Sequence, residues 1–385
     1  MTRQTLAVEQ PAMLRFLALL TIAAATGLQS WMILFNNFAV EVAGLNGQQI
    51  GVLGSVREIP GLLALLVVFL LRLTAEHRLA SLSVVLVGLG SVLTGFLPSY
   101  AGLILSTLVI SFGFHYFETT NQSLTLQYFP VGQAPLVLGR LRSLTAAVNI
   151  LVGVLVFGLA LVCDYSAIFA LIGLFVLVLA AWGLRQNPTS AAVVPQHRHM
   201  VVRRRYLLFY VLTFLAGARR QIFIAFSVFL LVQEFHCSLP QIAALFVVNN
   251  LINYFLSPLI GRAVARFGER AMLSLEYASL IGVFLGYATS RSLPLVMALY
   301  ILDHIFYNFA MAIGTYFQKV ADPHDIAPSM AVAFTINHVA AVVLPLIGGL
   351  LWMVDYRIPF VAGALLSALS LLAVQFIRLP ASARG

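Results

Sequence analysis

The sequence predicts an all-α integral membrane protein: twelve transmembrane helices in two pseudo-symmetric six-helix bundles. Three observations carry this expectation. The first is composition. Of 385 residues, 61% are hydrophobic and 9% charged, where soluble domains carry about 25% charged residues. Mean hydropathy is +0.98. No soluble packing hides that much apolar surface, because surface falls too slowly with size, so lipid is the solvent. The second is that the chain divides into twelve apolar windows long enough to span a bilayer. The third is that positive charge alternates from loop to loop.

Span 1 is expected at 14–36. Its start, Phe16 to Gly27 after Arg15, has the look of a signal peptide. Apolar sequence continues through Trp31-Met32-Ile33-Leu34-Phe35, however, so an uncleaved first span is expected. Spans 2 to 6 follow at 49–71, 80–97, 101–127, 143–163 and 166–184. Spans 7 to 12 are expected at 206–232, 240–260, 271–289, 295–318, 328–352 and 358–377. Turn chemistry separates them at Leu97-Pro98-Ser99, Cys163-Asp164-Tyr165, Arg291-Ser292-Leu293-Pro294 and Asp355-Tyr356-Arg357.

With the N-terminus inside, the inner loops and tails hold Arg3, Arg15, Arg72, Arg78, Arg140, Arg142, Arg185, Arg198, Arg203, Arg204, Arg205, Arg262, Arg266, Arg270, Lys319, Arg378 and Arg384. The outer loops hold Arg291 and Arg357. This positive-inside bias predicts cytoplasmic termini and a cell (inner) membrane location. The net charge of +9 is then loop charge facing anionic lipid, and no nucleic-acid partner is expected. The stretch 185–205 is polar, basic and proline-containing. It divides the chain into an N-terminal bundle, 1–184, and a C-terminal bundle, 206–385, and its Arg203-Arg204-Arg205 run suits lipid headgroups. Two cysteines, Cys163 and Cys237, form no disulfide framework and no metal spacing; a bond between them would tie the two bundles together.

The halves repeat. One offset carries Gln49-Ile50 onto Gln241-Ile242, Leu53 onto Leu245, Arg78 onto Arg270 and Arg57-Glu58 onto Asn249-Asn250. A slightly smaller one carries Tyr128-Phe129 onto Tyr316-Phe317 and Asn149 onto Asn337. Duplication of this kind builds many transporters.

A charge at the centre of a spanning helix costs roughly 2.5–3.5 kcal/mol on the insertion scale. Polar positions therefore mark surfaces that face water or protein. They concentrate in spans 1, 2, 4, 5, 7, 8, 10 and 11, which are expected to surround a wet cavity, leaving spans 3, 6, 9 and 12 toward lipid. Arg57 and Glu58 lie in span 2, with Arg57 roughly 12 Å deep at 1.5 Å per residue. Neighbours on a helix point about 100° apart, so each is expected to pair with another helix. Span 4 places His115, Glu118 and Gln122 on one face. Span 7 holds Arg219 and Arg220, span 8 Asn249 and Asn250, span 10 Asp303, His304, Tyr307 and Asn308, and span 11 Asn337 and His338. Together these form the expected substrate and proton pathway. Carboxyls in a partly dry cavity and histidines exchange protons near neutrality, and arginine grips a carboxylate or phosphate with two parallel bonds. Glu276, close to the inner boundary, is expected in the ion network of the loop that follows span 8.

This layout, with its basic central loop, resembles the major facilitator superfamily over the whole chain. The family signature between spans 8 and 9 is matched by Gly261, Arg266, Gly268 and Arg270, while Ala265 stands where the family carries an acid. Between spans 2 and 3 only Arg72 and Arg78 remain of it. The glycine-rich span 5 motif keeps Gly153 and Gly158 without its proline, and Pro345-Leu346-Ile347-Gly348-Gly349 occurs on span 11 instead. The resemblance implies a monomeric secondary transporter working by alternating access, with 261–270 at the inner gate.

The expected function is transport of a small organic solute, coupled to protons, with the arginines favouring a solute that carries an anionic group. No cofactor and no enzymatic activity are expected. GxxxxGK[ST] is absent and Lys319 is the only lysine, which excludes ATP-driven pumping by this chain alone; GxSxG and HExxH are absent too. Two alternatives stay open. One is a divalent-metal transporter using Asp303, His304, His338, His115 and Glu118, against which stand the nearby arginines. The other is a non-transporting membrane sensor on the same fold.

Overall fold

The computed structural model describes residues 10–237 and 239–378; Arg3 and Arg384 lie outside the described residues. The chain is helical throughout: α1 (Pro11–Glu41), α2 (Gly47–Leu62), α3 (Val67–Leu70), α4 (Glu76–Phe96), α5 (Tyr100–Tyr128), α6 (Ala134–Ala160), α7 (Tyr165–Arg185), α8 (Leu207–Gln233), α9 (Leu239–Phe267), α10 (Glu269–Thr289), α11 (Leu293–Tyr307), α12 (Met311–Val320), α13 (Ile326–Trp352) and α14 (Arg357–Val374). Among the described residues, eleven segments are helical, long and apolar enough to cross a membrane. The 27-residue α13 occupies the place of expected span 11, and the protein is a multi-pass membrane protein.

Local chemistry sets the helix ends. Asn46 and Gln49 form a reciprocal capping box at the start of α2. Ser99 accepts from the Gly102 amide at 3.1 Å and Asp164 from the Ala167 amide at 2.7 Å, satisfying amides that a helix start leaves orphaned. Proline opens α1, α6 and α11, where its missing N–H costs nothing. Buried hydroxyls along the spans turn back onto their own helix, as Ser91 does to Val87 and Thr94 to Gly90.

Two spans are broken. In span 2, Pro60 interrupts α2 and the chain runs as a 3₁₀ turn over Leu63–Leu66 before α3. The freed groups find side-chain partners: the Leu65 amide donates to Thr335 Oγ1 at 2.9 Å, and Tyr116 donates to the Leu63 carbonyl at 3.2 Å. Inside a membrane a broken helix persists on such terms. Span 10 breaks without proline, through a 3₁₀ turn at Asn308–Ala310. There Arg142 Nη1 donates to the Asn308 carbonyl at 3.0 Å, a foreign donor inserted into the helical ladder. Arg142 was expected in an inner loop. It lies instead inside α6, because that helix begins at Ala134, well before the expected 143.

The packing follows the residues. In the first six spans α4 packs on α5 and α7, and in the last six α10 packs on α14. Gly88 and Gly173 bring α4 and α7 together, and Gly90 admits Ile110 of α5, the small-residue contact typical of helices in lipid. Between halves, α6 meets α9 and α2 meets α13. These contacts cluster at the arginine-rich end. A Cβ added at Gly139 would sit 2.5 Å from the Ser257 carbonyl oxygen, and one at Gly261 would strike the Pro135 carbonyl. Gln318 donates to the carbonyls of Leu126 and Phe129 at 2.6 and 2.7 Å.

The segment between the bundles is strapped across this end. Asp325 is fully buried, and it receives Arg203 Nε at 2.8 Å, the Tyr206 hydroxyl at 2.6 Å, Arg205 Nη2 at 3.3 Å and His197 Nδ1 at 2.9 Å. Arg72 donates to the Arg198 carbonyl at 2.6 Å. Arg203 and Arg205 thus hold a carboxylate where lipid headgroups were expected, while Arg204 is exposed. Both cysteines are free, so no disulfide joins the bundles.

Candidate functional site

At the end opposite the arginines the halves part. A vestibule of about 1230 Å³ opens between α1, α6, the start of α7 and α9, lined by Met32, Phe157 and Phe246 with Gln29, Asn37 and Asn250 among them. Deeper lies a cavity of about 620 Å³ whose wall includes Trp31, Arg57, Glu58, His115, Glu118, Arg220 and His338. Met32 borders both spaces. Trp31 is fixed by a bond from its Nε1 to Thr94 Oγ1 at 3.2 Å.

Arg57 does not reach to another helix. Its Nε and Nη2 both donate to Glu58 Oε1, at 3.2 and 3.1 Å. The 100° between neighbouring Cβ vectors is overcome because arginine has enough bonds to fold back, and the pair borders the open cavity; the Arg57 side chain is 38% exposed. The Ser111 hydroxyl donates to the Arg57 carbonyl and ties α2 to α5.

Arg219 and Arg220 share one small cavity, and Arg220 alone also borders the main one. Arg219 is buried. Its Nη2 lies 3.5 Å from Glu276 Oε1 and its guanidinium sits 4.2 Å from the centre of the Tyr277 ring. Glu276 therefore belongs to the core of the second bundle and not to the loop network expected of it. Asp303 and Glu276 line a cavity of about 20 Å³ with both arginines and Tyr307. Arg219 Nη1, Glu276 Oε2 and Asp303 Oδ2 all lack a protein partner there. A space that size holds about one water, and three orphan polar atoms suit it.

Arg220 borders the main cavity. Its guanidinium lies 5.2 Å from the Tyr307 ring centre, and Arg142 of the other half lies 5.7 Å from the same ring. Among the described residues Arg220 makes no hydrogen bond and no ion pair. The same holds for Glu118, which shares its cavity.

The other expected residues fall elsewhere. Asn250 accepts from Asn149 at 3.1 Å, joining α9 to α6. Asn308 donates to Asn253 Oδ1 at 2.7 Å beside the break that Arg142 holds. Gln122 abuts Gly314, where an added Cβ would meet its Nε2 at 3.0 Å. These three sit where the halves touch. His304 packs between Phe223 and Tyr300. Asn249 is buried, and Asn337 lies against Gly217 with its amide 3.4 Å from the Thr213 carbonyl. These last three do not line the cavity.

In the 261–270 segment, Gly261 marks a close approach of the halves. Gly268 has φ +81°, a conformation glycine adopts without strain. Arg270 donates to Gln375 Oε1 at 2.9 Å, and Arg266 is exposed over Phe267. Four residues beyond Ala265 the segment carries an acid. Buried Glu269 pairs with Lys319 Nζ at 2.8 Å. Sequence reasoning missed Glu269 and Arg142. The signal for Arg142 was the Arg140-Leu141-Arg142-Ser143 register, readable only once the start of α6 is known.

Residues 209–384, the last six spans, match the family model described as Major Facilitator Superfamily. A tetracycline resistance protein, class C, of Escherichia coli is 31% identical over 130 residues, which is 33% of this chain and about a third (32%) of that protein's length. The human organic anion transporter MFSD10 (TETRAN) superposes with a TM-score of 0.75 over 95% of this chain and 100% of its own, at 13% identity. A bacterial homologue of the iron transporter ferroportin, in an outward-facing state, gives 0.75 over 94% and 98%, at 14% identity. A Major Facilitator Superfamily transporter, FucP, in the outward conformation gives 0.74 over 95% and 99%, at 13% identity. These structural likenesses show the fold.

Proposed function

We propose that this chain, which belongs to the major facilitator superfamily, is a secondary transporter that carries a small organic anion together with protons. The observation that carries the reading is the pair Glu118 and Arg220. They line one cavity between the halves, and neither has an ion-pair partner among the described residues. Arg57 and Glu58 cancel each other locally. With Glu118 ionised, the remaining charges balance at a distance and an entering anion meets its repulsion. With Glu118 protonated, Arg220 is left uncompensated in a low-dielectric wall and attracts an anion strongly. Proton binding at Glu118 and anion binding at Arg220 then favour each other, and the coupling is reciprocal.

The closed contacts at the arginine-rich end and the open vestibule at the other support an outward-open state in an alternating-access cycle. The positive-inside bias supports a cytoplasmic arginine-rich end, with both termini cytoplasmic in the inner membrane. The organic anion transporter among the structural neighbours is compatible with an anionic cargo. The test is uptake by proteoliposomes of a panel of organic anions, with and without an imposed pH gradient. The reading expects one or more anions to accumulate only when the vestibule side is acidic. Flux of a good substrate that no pH gradient or uncoupler alters would refute proton coupling.

A further inference from the structure

We propose that Glu58, His115 and His338 form a binding site for a borderline transition cation such as Zn²⁺, and that the bound ion holds the two halves together at the floor of the cavity. One ligand atom from each of the three residues falls in a cluster within 4.8 Å. Glu58 and His115 come from α2 and α5 of the first bundle, and His338 from α13 of the second.

Each donor is free to coordinate. His338 Nδ1 lies 2.8 Å from the Phe334 carbonyl. That contact fixes the proton on Nδ1 and leaves the Nε2 lone pair for a metal, the usual outer support of a ligating histidine. His115 is buried and its Nδ1 has no partner, an otherwise costly orphan. Arg57 uses only Oε1 of Glu58, so Oε2 remains for the ion. The imidazole rings lie 4.6 Å apart, centre to centre. Zinc bonds of about 2.0–2.2 Å require the donors to close in by side-chain rotation, for which the cavity leaves room. The cavity also supplies water for a fourth position. Two imidazoles and one carboxylate select Zn²⁺, Co²⁺ or Ni²⁺ over Mg²⁺ and Ca²⁺.

The site is also where the halves meet. Gly61 lies against the His338 ring, leaving no space for a Cβ, and the Leu65–Thr335 bond is one turn further on. An ion held from both sides therefore keeps the arginine-rich end shut. Arg57 and Arg220 stand nearby and weaken the affinity for a cation, so the site is weaker than a structural zinc centre. It differs from the group the sequence suggested, with Glu58 in place of Glu118 and without Asp303 or His304.

The test is calorimetry of tag-free, detergent-purified protein with ZnCl₂ and with MgCl₂, backed by the visible absorption of bound Co²⁺. His197 and His199, whose rings lie 5.0 Å apart, are replaced by alanine in every sample so that this second histidine pair does not contribute. One zinc site is expected, with no magnesium binding. His115→Gln alone and His338→Gln alone should each weaken it at least tenfold, and Zn²⁺ should raise the melting temperature of the parent but of neither variant. A variant that does not fold is replaced by Glu58→Gln, expected to weaken zinc in the same direction. Absence of zinc binding in the parent, or binding unchanged by both His115→Gln and His338→Gln, overturns the proposal. Both readouts are independent of transport, so they stand apart from the identity of the cargo.

Discussion

Arg142, on α6 of the first bundle, donates at 3.0 Å to the main-chain carbonyl of Asn308 on the second. One side chain thereby breaks a spanning helix of the other half and fastens the halves at the same point. The proposed alternating-access cycle requires the halves to part here, and on that proposal the bond opens and re-forms. Arg142→Gln should shift the protein toward the inward-open state. Labelling of a Gln318→Cys reporter by an impermeant maleimide in inside-out vesicles should then be at least tenfold faster than in the reporter alone. An unchanged rate would remove Arg142 from the gate.

Close backbone contact makes a second prediction at Gly139. A methyl group there lands 2.5 Å from the Ser257 carbonyl oxygen, and overpacking of this kind costs about 1–3 kcal/mol. The cost falls on the state with the arginine-rich end closed. Gly139→Ala should lower its population, read as faster labelling of the same Gln318→Cys reporter. Gly153→Ala, where an added Cβ meets nothing, should leave the rate unchanged.

The buried group of Arg219, Glu276 and Asp303 predicts an asymmetry. Removing Arg219 takes from Glu276 the cation it pairs with and leaves its carboxyl and that of Asp303 in a nearly dry space. Breaking a buried pair by deleting one partner costs about 3–5 kcal/mol, so Arg219→Ala should fold poorly. Arg219→Ala combined with Glu276→Gln should recover much of the melting temperature. No recovery in the double variant would show that the pair is not what the arginine stabilises.

Asp325 gives a pH dependence. Burial pushes its carboxyl upward, but the bonds from Tyr206, His197 and Arg203 outweigh that and hold it below the ordinary carboxylate value. A depressed value means the strap is fully stabilised above the unfolded value of about 3.9 and is lost as pH falls through the lower folded one. Protection of residues 187–202 from proteolysis should therefore stay level from about pH 8 to pH 5. Asp325→Asn should expose the segment at neutral pH. Loss of protection anywhere between about pH 8 and pH 5 would contradict that role for Asp325.

Much of the architecture was legible because lipid imposes simple rules. Length, hydropathy and loop charge place most helix ends within a few residues, the start of α6 and the end of α9 excepted, and the depth of Arg57, Glu118 and Asp303 separates interior from lipid. What sequence could not supply was direction and reach. Arg57 folds back on Glu58 because arginine is long and faces an open cavity, and neither fact is visible in a helical wheel. Arg219 and Arg220 part company although they are adjacent. Glu276 looked peripheral because its depth was judged from a span boundary and not from its partner. His304 and Asn337 look like pathway residues in a list of polar positions, yet aromatic and backbone contacts occupy them.

The most direct test of the account is gradient-driven uptake by Glu118→Gln protein in proteoliposomes, using an anion that the parent accumulates. The glutamine stands in for the protonated acid. It should bind and exchange the anion at every pH while failing to concentrate it against a gradient when the vestibule side is acidified. Full accumulation by Glu118→Gln, driven by the pH gradient as in the parent, would contradict the coupling of Glu118 to Arg220.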